Sequence, residues 1–181
     1  MNENEVNISA EIDPKLANSA VQKAVLQAAQ LLNNGESKDK IFACLVRGAE
    51  AIAPPGSVSS ILLLDKDGLL RNGSSPNLPF DYLSAIDGLK PDPWVGTCAS
   101  AAATGSVVIT IDFKSDDKWG ELRHLPLALG FVGAWSMPIK NKDGKVLGTF
   151  GTYFRQNRKP SKEELIGVKQ LAEMAAAVLT S

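Results

Sequence analysis

The chain has 181 residues, 44% of them hydrophobic and 22% charged, with a formal net charge of −1. That length and balance fit one globular domain with a core of its own and exclude a chain disordered throughout. The small net charge excludes a global pull toward nucleic acid or an anionic membrane, and no apolar run reaches the about 18 residues that a membrane span needs.

Residues 1–13 read as a flexible N-terminal lead, polar and acidic through Glu3, Glu5, Glu11 and Asp13. They lack the basic and apolar regions of a signal peptide. Residues 14–181 read as a single domain. Asp13-Pro14 opens a helix, with a capping oxygen followed by proline at the first helical position. Leu16, Ala20, Ala24 and Leu31 mark one side of it, with Val21, Val25 and Ala28 beside them, and Asn33-Asn34-Gly35 stops it. Ser37 caps a second helix to about Ala53, with Ile41, Cys44, Leu45 and Ala49 on its apolar stripe. Pro54-Pro55-Gly56 ends it.

The period then changes. Val58 to Leu64 has the length of a strand, and Asp65-Lys66-Asp67-Gly68 turns it into Leu69-Leu70-Arg71. Residues 72–105 are rich in Pro, Gly, Ser and Asn, with short helices predicted near Phe80 to Ile86 and Cys98 to Thr104. An excursion of this length inside a compact domain is usually functional. Val107 to Ile111 reads as a strand, and Asp116 to Leu129 as helical turns interrupted at Pro126. Val132 to Ile139 is a strand closing at Pro138. Asn141-Lys142-Asp143-Gly144 turns it into Val146 to Phe154. Arg155 to Lys162 reads as a solvated basic connection. Ser161-x-x-Glu164 is a capping box opening the last helix, which carries Leu165, Val168, Leu171, Ala172, Ala175, Val178 and Leu179. Hairpins dominate this order, so the fold class is α+β, with a mainly antiparallel sheet and helices on one face.

Several segments in series carry a resemblance. They are Ser60 to Arg71, Asn72 to Pro79, Val95-Gly-Thr-Cys-Ala-Ser-Ala-Ala-Ala-Thr-Gly105, Asp112 to Trp119, Ala134-Trp-Ser-Met-Pro-Ile139 and Gly144-Lys-Val-Leu-Gly-Thr-Phe150. In their order and spacing, over residues 38–180, the chain resembles a GAF domain of the kind joined to bacterial sensor histidine kinases and diguanylate cyclases. The resemblance implies a central antiparallel sheet with terminal helices on one face and, on the other, a pocket under the loops of residues 72–129. It implies a sensory domain that binds a small molecule or anion there and signals through its terminal helices. It also implies an effector domain, such as a histidine kinase or cyclase, as a partner.

The expected pocket residues are Tyr82, Trp94, Cys98, Trp119, Arg123, His124 and Trp135, aromatic walls with a few convergent polar groups. Each has a plainer alternative. The rings fill space under the loops, Arg123 pairs with Asp116, Asp117 or Glu121, and His124 is structural rather than a haem ligand. No metal and no resident cofactor are expected. Two separated cysteines and one histidine do not make a zinc site, and neither cysteine has the adjacent histidine of bilin-binding relatives. Asn141-Lys142 matches the start of a cyclic-nucleotide motif, but Lys159 stands where that motif has Phe.

The enzymatic rival is free methionine-(R)-sulfoxide reductase, which shares the fold. Cys98 matches one of its three cysteines, while Ile86 to Gly88 and Lys118 to Leu125 hold none of the others. Thiol-based reduction needs an attacking and a resolving thiol, so a non-enzyme is expected. A third reading is a purely structural dimerisation module. Cys44 and Cys98 form no disulfide framework, which fits the cytoplasm. Both terminal helices carry more than one apolar stripe, and a second stripe marks an interface, so a homodimer through these helices is expected.

Overall fold

The computed structural model describes residues 12–181. Most of the expected N-terminal lead lies outside the described residues. The elements are α1 (Pro14–Asn33), α2 (Lys38–Ile52), β1 (Val58–Leu64), β2 (Leu70–Ser74), α3 (Phe80–Ile86), α4 (Cys98–Thr104), β3 (Val108–Thr110), a 3-10 helix (Asp117–Arg123), α5 (His124–Ala128), β4 (Gly133–Lys140), β5 (Val146–Phe154) and α6 (Lys162–Leu179). Their ends follow local chemistry. The Asp13 carboxylate accepts from the Lys15 amide with Pro14 behind it, and Ser161 and Glu164 cap each other's backbone amides at the start of α6.

The five strands pair antiparallel in the order β2-β1-β5-β4-β3. Alternation along β4 and β5 then divides the core in two. Trp135, Met137, Ile139, Phe150 and Phe154 face α1, α2 and α6. Ala134 and Tyr153 face the cover made by α3, α4, the 3-10 helix and α5. The helix layer is tight because its crossings are small. A side chain at Gly48 of α2 would place its Cβ 2.7 Å from that of Ala24 on α1. The buried stripe of α1 is therefore Ala17, Val21, Ala24 and Ala28, while Leu16, expected on the apolar side, is exposed.

Two expectations are corrected. The break between helical turns falls at Gly120 (φ 44°, ψ −128°), a conformation that glycine alone adopts readily. Pro126 sits in the first turn of α5, where its missing N–H leaves no hydrogen bond unmade. Strand β4 runs past Pro138 to Lys140, because β3 pairs only with residues 134–136 and leaves the edge beside Pro138 unpartnered. The connection from Arg155 to Lys162 is largely exposed, as expected, and two of its arginines also tie it to the fold. Arg155 donates to the carbonyls of Gly56 (3.1 Å) and Leu129 (2.9 Å) and stacks over Phe131. Arg158 pairs with the buried carboxylate of Glu164. Among the described residues no helix is long and apolar enough to cross a membrane.

Candidate functional site

The centre of the cover face is Cys98, the first residue of α4. Its side chain lies over Gly151 of β5, where a Cβ would come 3.2 Å from Sγ. Glycine at that position makes the space the thiol occupies. Cys98 Sγ and Ser136 Oγ of β4 lie 3.1 Å apart in a buried hydrogen bond. Thr97 and Thr149 also face the thiol. Both are buried, and neither hydroxyl completes a hydrogen bond with a partner. Burial pushes the Cys98 thiol above the usual cysteine range, against the opposing effect of Ser136, Thr149 and Thr97.

Two aromatic groups flank this patch. Tyr82 of α3 donates to the Tyr153 hydroxyl at 2.6 Å, with the rings edge to face, and Phe131 packs on Tyr153. Burial raises both phenols above their ordinary range. On the other flank Trp119 packs on Phe113 and its indole N–H donates to Thr110 Oγ1 at 3.2 Å. Thr110 donates in turn to Asp116, which also accepts from Lys118. Burial pushes the Asp116 carboxyl up, but the hydrogen bonds from Lys118 and Thr110 outweigh it and hold it low. The patch itself is neutral. Among the described residues Glu164 is the one buried charged side chain, and it lies at the start of α6.

The expected site residues thus divide. Tyr82, Cys98 and Trp119 share the cover-side core. Trp94 is 79% exposed, over a shallow depression with Ile109, Ile111 and Asp117. Arg123 donates to the carbonyls of Gly120 and Lys114 and not to Asp116, Asp117 or Glu121, so it ties the cover loop to itself. His124 is exposed, its Nδ1 against the Glu121 carbonyl. Trp135 is corrected outright. Strand alternation turns it to the helix face, where it is buried in the other core. The sequence reading missed Thr97, Ser136, Thr149, Gly151 and Tyr153. Parity along β4 and β5 would have found the last four, since residues 134 and 136 face the cover once 135 faces the helices. Asn141 accepts from the amides of Asp143 and Lys145, which is the work of a turn residue.

The model of the GAF domain family matches residues 35–180, and the chain belongs to that family. It is 34% identical over 147 residues to the methyl sulfide methyltransferase-associated sensor of Methanosarcina acetivorans. That stretch is 81% of this chain and 15% of the relative, so the chain spans a small part of that protein's length. Solved structures share the fold. A domain assigned to a two-component sensor histidine kinase of Sinorhizobium meliloti superposes with a TM-score of 0.67 at 16% identity, over 80% of this chain and 92% of that one. The GAF domain of a phosphoenolpyruvate-protein phosphotransferase from Coxiella burnetii gives 0.69 at 18%, over 90% and 94%. Free methionine-R-sulfoxide reductase from Neisseria meningitidis, solved with its substrate, gives 0.71 at 12%, over 95% and 93%.

Proposed function

We propose that this domain is a non-catalytic sensor that binds a small, uncharged, hydrogen-bonding molecule under α4. The observation that carries this reading is the pair of buried hydroxyls of Thr97 and Thr149, left without partners beside Cys98. Such a group costs about 1–3 kcal/mol to leave unsatisfied, and its presence in a folded interior calls for a missing partner. The neutral lining favours an uncharged molecule over the anion that Arg123 suggested, because Arg123 is committed to backbone carbonyls. Binding here displaces α4 or the cover, and Ser136 sits on the strand whose alternate residues Trp135 and Met137 pack in the helix-side core. A change under the cover therefore has a short mechanical route to α6.

A reductase reading has less support. The Cys98 thiol is held protonated by burial, and Cys44, the other cysteine, lies across the sheet with its thiol against the Ala24 carbonyl at 3.6 Å. The same reading includes a cytoplasmic location, an effector domain on the same or a partner chain, and pairing through the terminal helices.

The test is native mass spectrometry of freshly purified protein together with a thermal-shift screen of small polyols and amides against inorganic phosphate and sulfate. A neutral ligand at 100 times its dissociation constant adds about 2.7 kcal/mol of stability. Stabilisation by the anions alone, or methionine-sulfoxide turnover that Cys98→Ser abolishes, overturns the reading.

A further inference from the structure

Beside α6 runs a groove of about 750 Å³ that no element of the described chain fills. Its floor is Met137 and Pro138 of β4, and its walls are Val107, Leu165, Ala172 and Ala176. Pairing with β3 ends at Ser136, so the β4 edge beyond it has no strand alongside. Three lysines stand at the rim, Lys140, Lys142 and Lys169, against one acid, Glu173. The lysines are exposed, and none joins an ion pair with another described residue. An apolar floor under a cationic rim fits an acidic segment with one apolar face.

The chain carries such a segment next to the groove. Helix α1 begins beside the start of α6, where Pro14, Ala17 and Val21 share a hollow with Glu163, Ile166 and Gly167. Ile166 lines both that hollow and the groove. Ile12, just before α1, packs against the helix-side core. The residues leading to it read Glu3-Asn-Glu-Val-Asn-Ile-Ser-Ala-Glu11, with three glutamates and no lysine or arginine. Val6, Ile8, Ala10 and Ile12 alternate with Glu5, Asn7, Ser9 and Glu11. That two-residue period gives an extended segment one apolar and one polar face.

We propose that residues 3–11 lie extended in this groove, with Val6 and Ile8 on its floor and the glutamates along its lysine rim. Length agrees. The wall from Leu165 to Thr180 is about 22 Å of helix, and residues 5–11 extended span about 23 Å. Charge agrees as well. Strand β5 ends at Phe154, paired with Gly133, so α6 starts at that end of β4 and finishes near Lys140. A segment leaving Ile12 along α6 therefore brings Glu11 beside Lys169, and Glu3 and Glu5 to Lys140 and Lys142. Its direction is antiparallel to β4, like that of β3. Pro138 removes one donor from the β4 edge, so side-chain burial and the rim charges hold the segment more than backbone bonds do. Direct attachment to α1 keeps it at an effective concentration of about millimolar, so a weak contact is enough. Occupation covers Val107 and Ile166, which are 37% and 50% exposed.

NMR of the full chain tests this. The expected result is amide order parameters of about 0.85 for residues 5–11, as in rigid backbone, with methyl contacts from Val6 and Ile8 to Met137 and Ile166. Val6→Ser/Ile8→Ser drops the order parameters below about 0.6 and erases those contacts while the sheet signals stay in place. Glu3→Lys/Glu5→Lys loosens the segment in the same way, and adding Lys140→Glu/Lys142→Glu to that chain restores it. Order parameters below about 0.6 in the unaltered chain overturn the proposal. So does an ordered segment without contacts to the groove, a segment indifferent to the charge swaps, or a mixed-label sample that assigns the groove contacts to a second copy of the chain.

Discussion

Cys98 and Trp135 show how much a single side chain's neighbours decide. The Cys98 thiol shares a hydrogen bond with Ser136 Oγ, beside the unpartnered hydroxyls of Thr149 and Thr97. Cys98→Ser is therefore expected to fold with a change within about 1 kcal/mol, since its hydroxyl can keep the bond to Ser136. Cys98→Val strands Ser136 as a further unpaired hydroxyl beside those of Thr97 and Thr149 and costs about 1–3 kcal/mol more. Urea unfolding of the two variants compares them directly, and equal midpoints would mean that the Cys98–Ser136 bond contributes nothing. Trp135→Ala behaves differently. The ring is fully buried in the helix-side core, so its removal costs about 3–5 kcal/mol whatever the domain binds. Trp94→Ala, at an exposed ring, changes stability by less than about 0.5 kcal/mol. The sequence placed both tryptophans near the excursion correctly along the chain. It could not give their direction, because direction along a strand depends on which parity faces the helices, and both faces of β4 are buried.

At the scale of elements, the cover is held by few, local bonds. The Trp119–Thr110–Asp116–Lys118 chain pins the 3-10 helix to β3. Because hydrogen bonds hold Asp116 low, its contribution is complete above the ordinary aspartate value, near pH 4, and disappears as pH falls through its lower folded value. Asp116→Asn is expected to lower stability at pH 6 and to lose less on going from pH 5 to pH 3 than the parent does. Denaturant midpoints at those pH values measure this, and parallel curves for the two proteins would contradict it. At the other end of the chain, Glu164 is buried with Arg158 as its charge partner. Arg158→Ala leaves that carboxylate unpaired and is expected to cost about 3–5 kcal/mol. Helix boundaries were legible here because caps are local chemistry: Asp13, Ser37 and Ser161 each announce a start within three residues. The break at Gly120 was not, because a glycine inside a polar helical turn gives no sign of the backbone angle the packed cover demands.

At the scale of the whole molecule, one sheet separates two cores of unequal build, and the chain places one cysteine in each. Cys44 lies under α1 and beside α6, among long helices with continuous backbone bonding. Cys98 lies under a cover made of a five-residue helix, two seven-residue helices, a 3-10 helix and loops. Short elements with few long-range partners open at lower free energy than the elements that carry the global fold. Burial raises both thiols above the usual range, so reactivity differences report access more than ionisation. Native-state labelling with a thiol reagent is thus expected to modify Cys98 first, by local opening of the cover, and Cys44 only at the rate of global unfolding. Single variants Cys44→Ala and Cys98→Ser assign the two phases. A molecule bound under α4 should slow the Cys98 phase in proportion to its occupancy while leaving the Cys44 phase to follow global stability. If Cys44 reacts first, or if both thiols react at one rate that tracks global unfolding, the cover is not an independent unit and ligand entry cannot proceed by opening it alone.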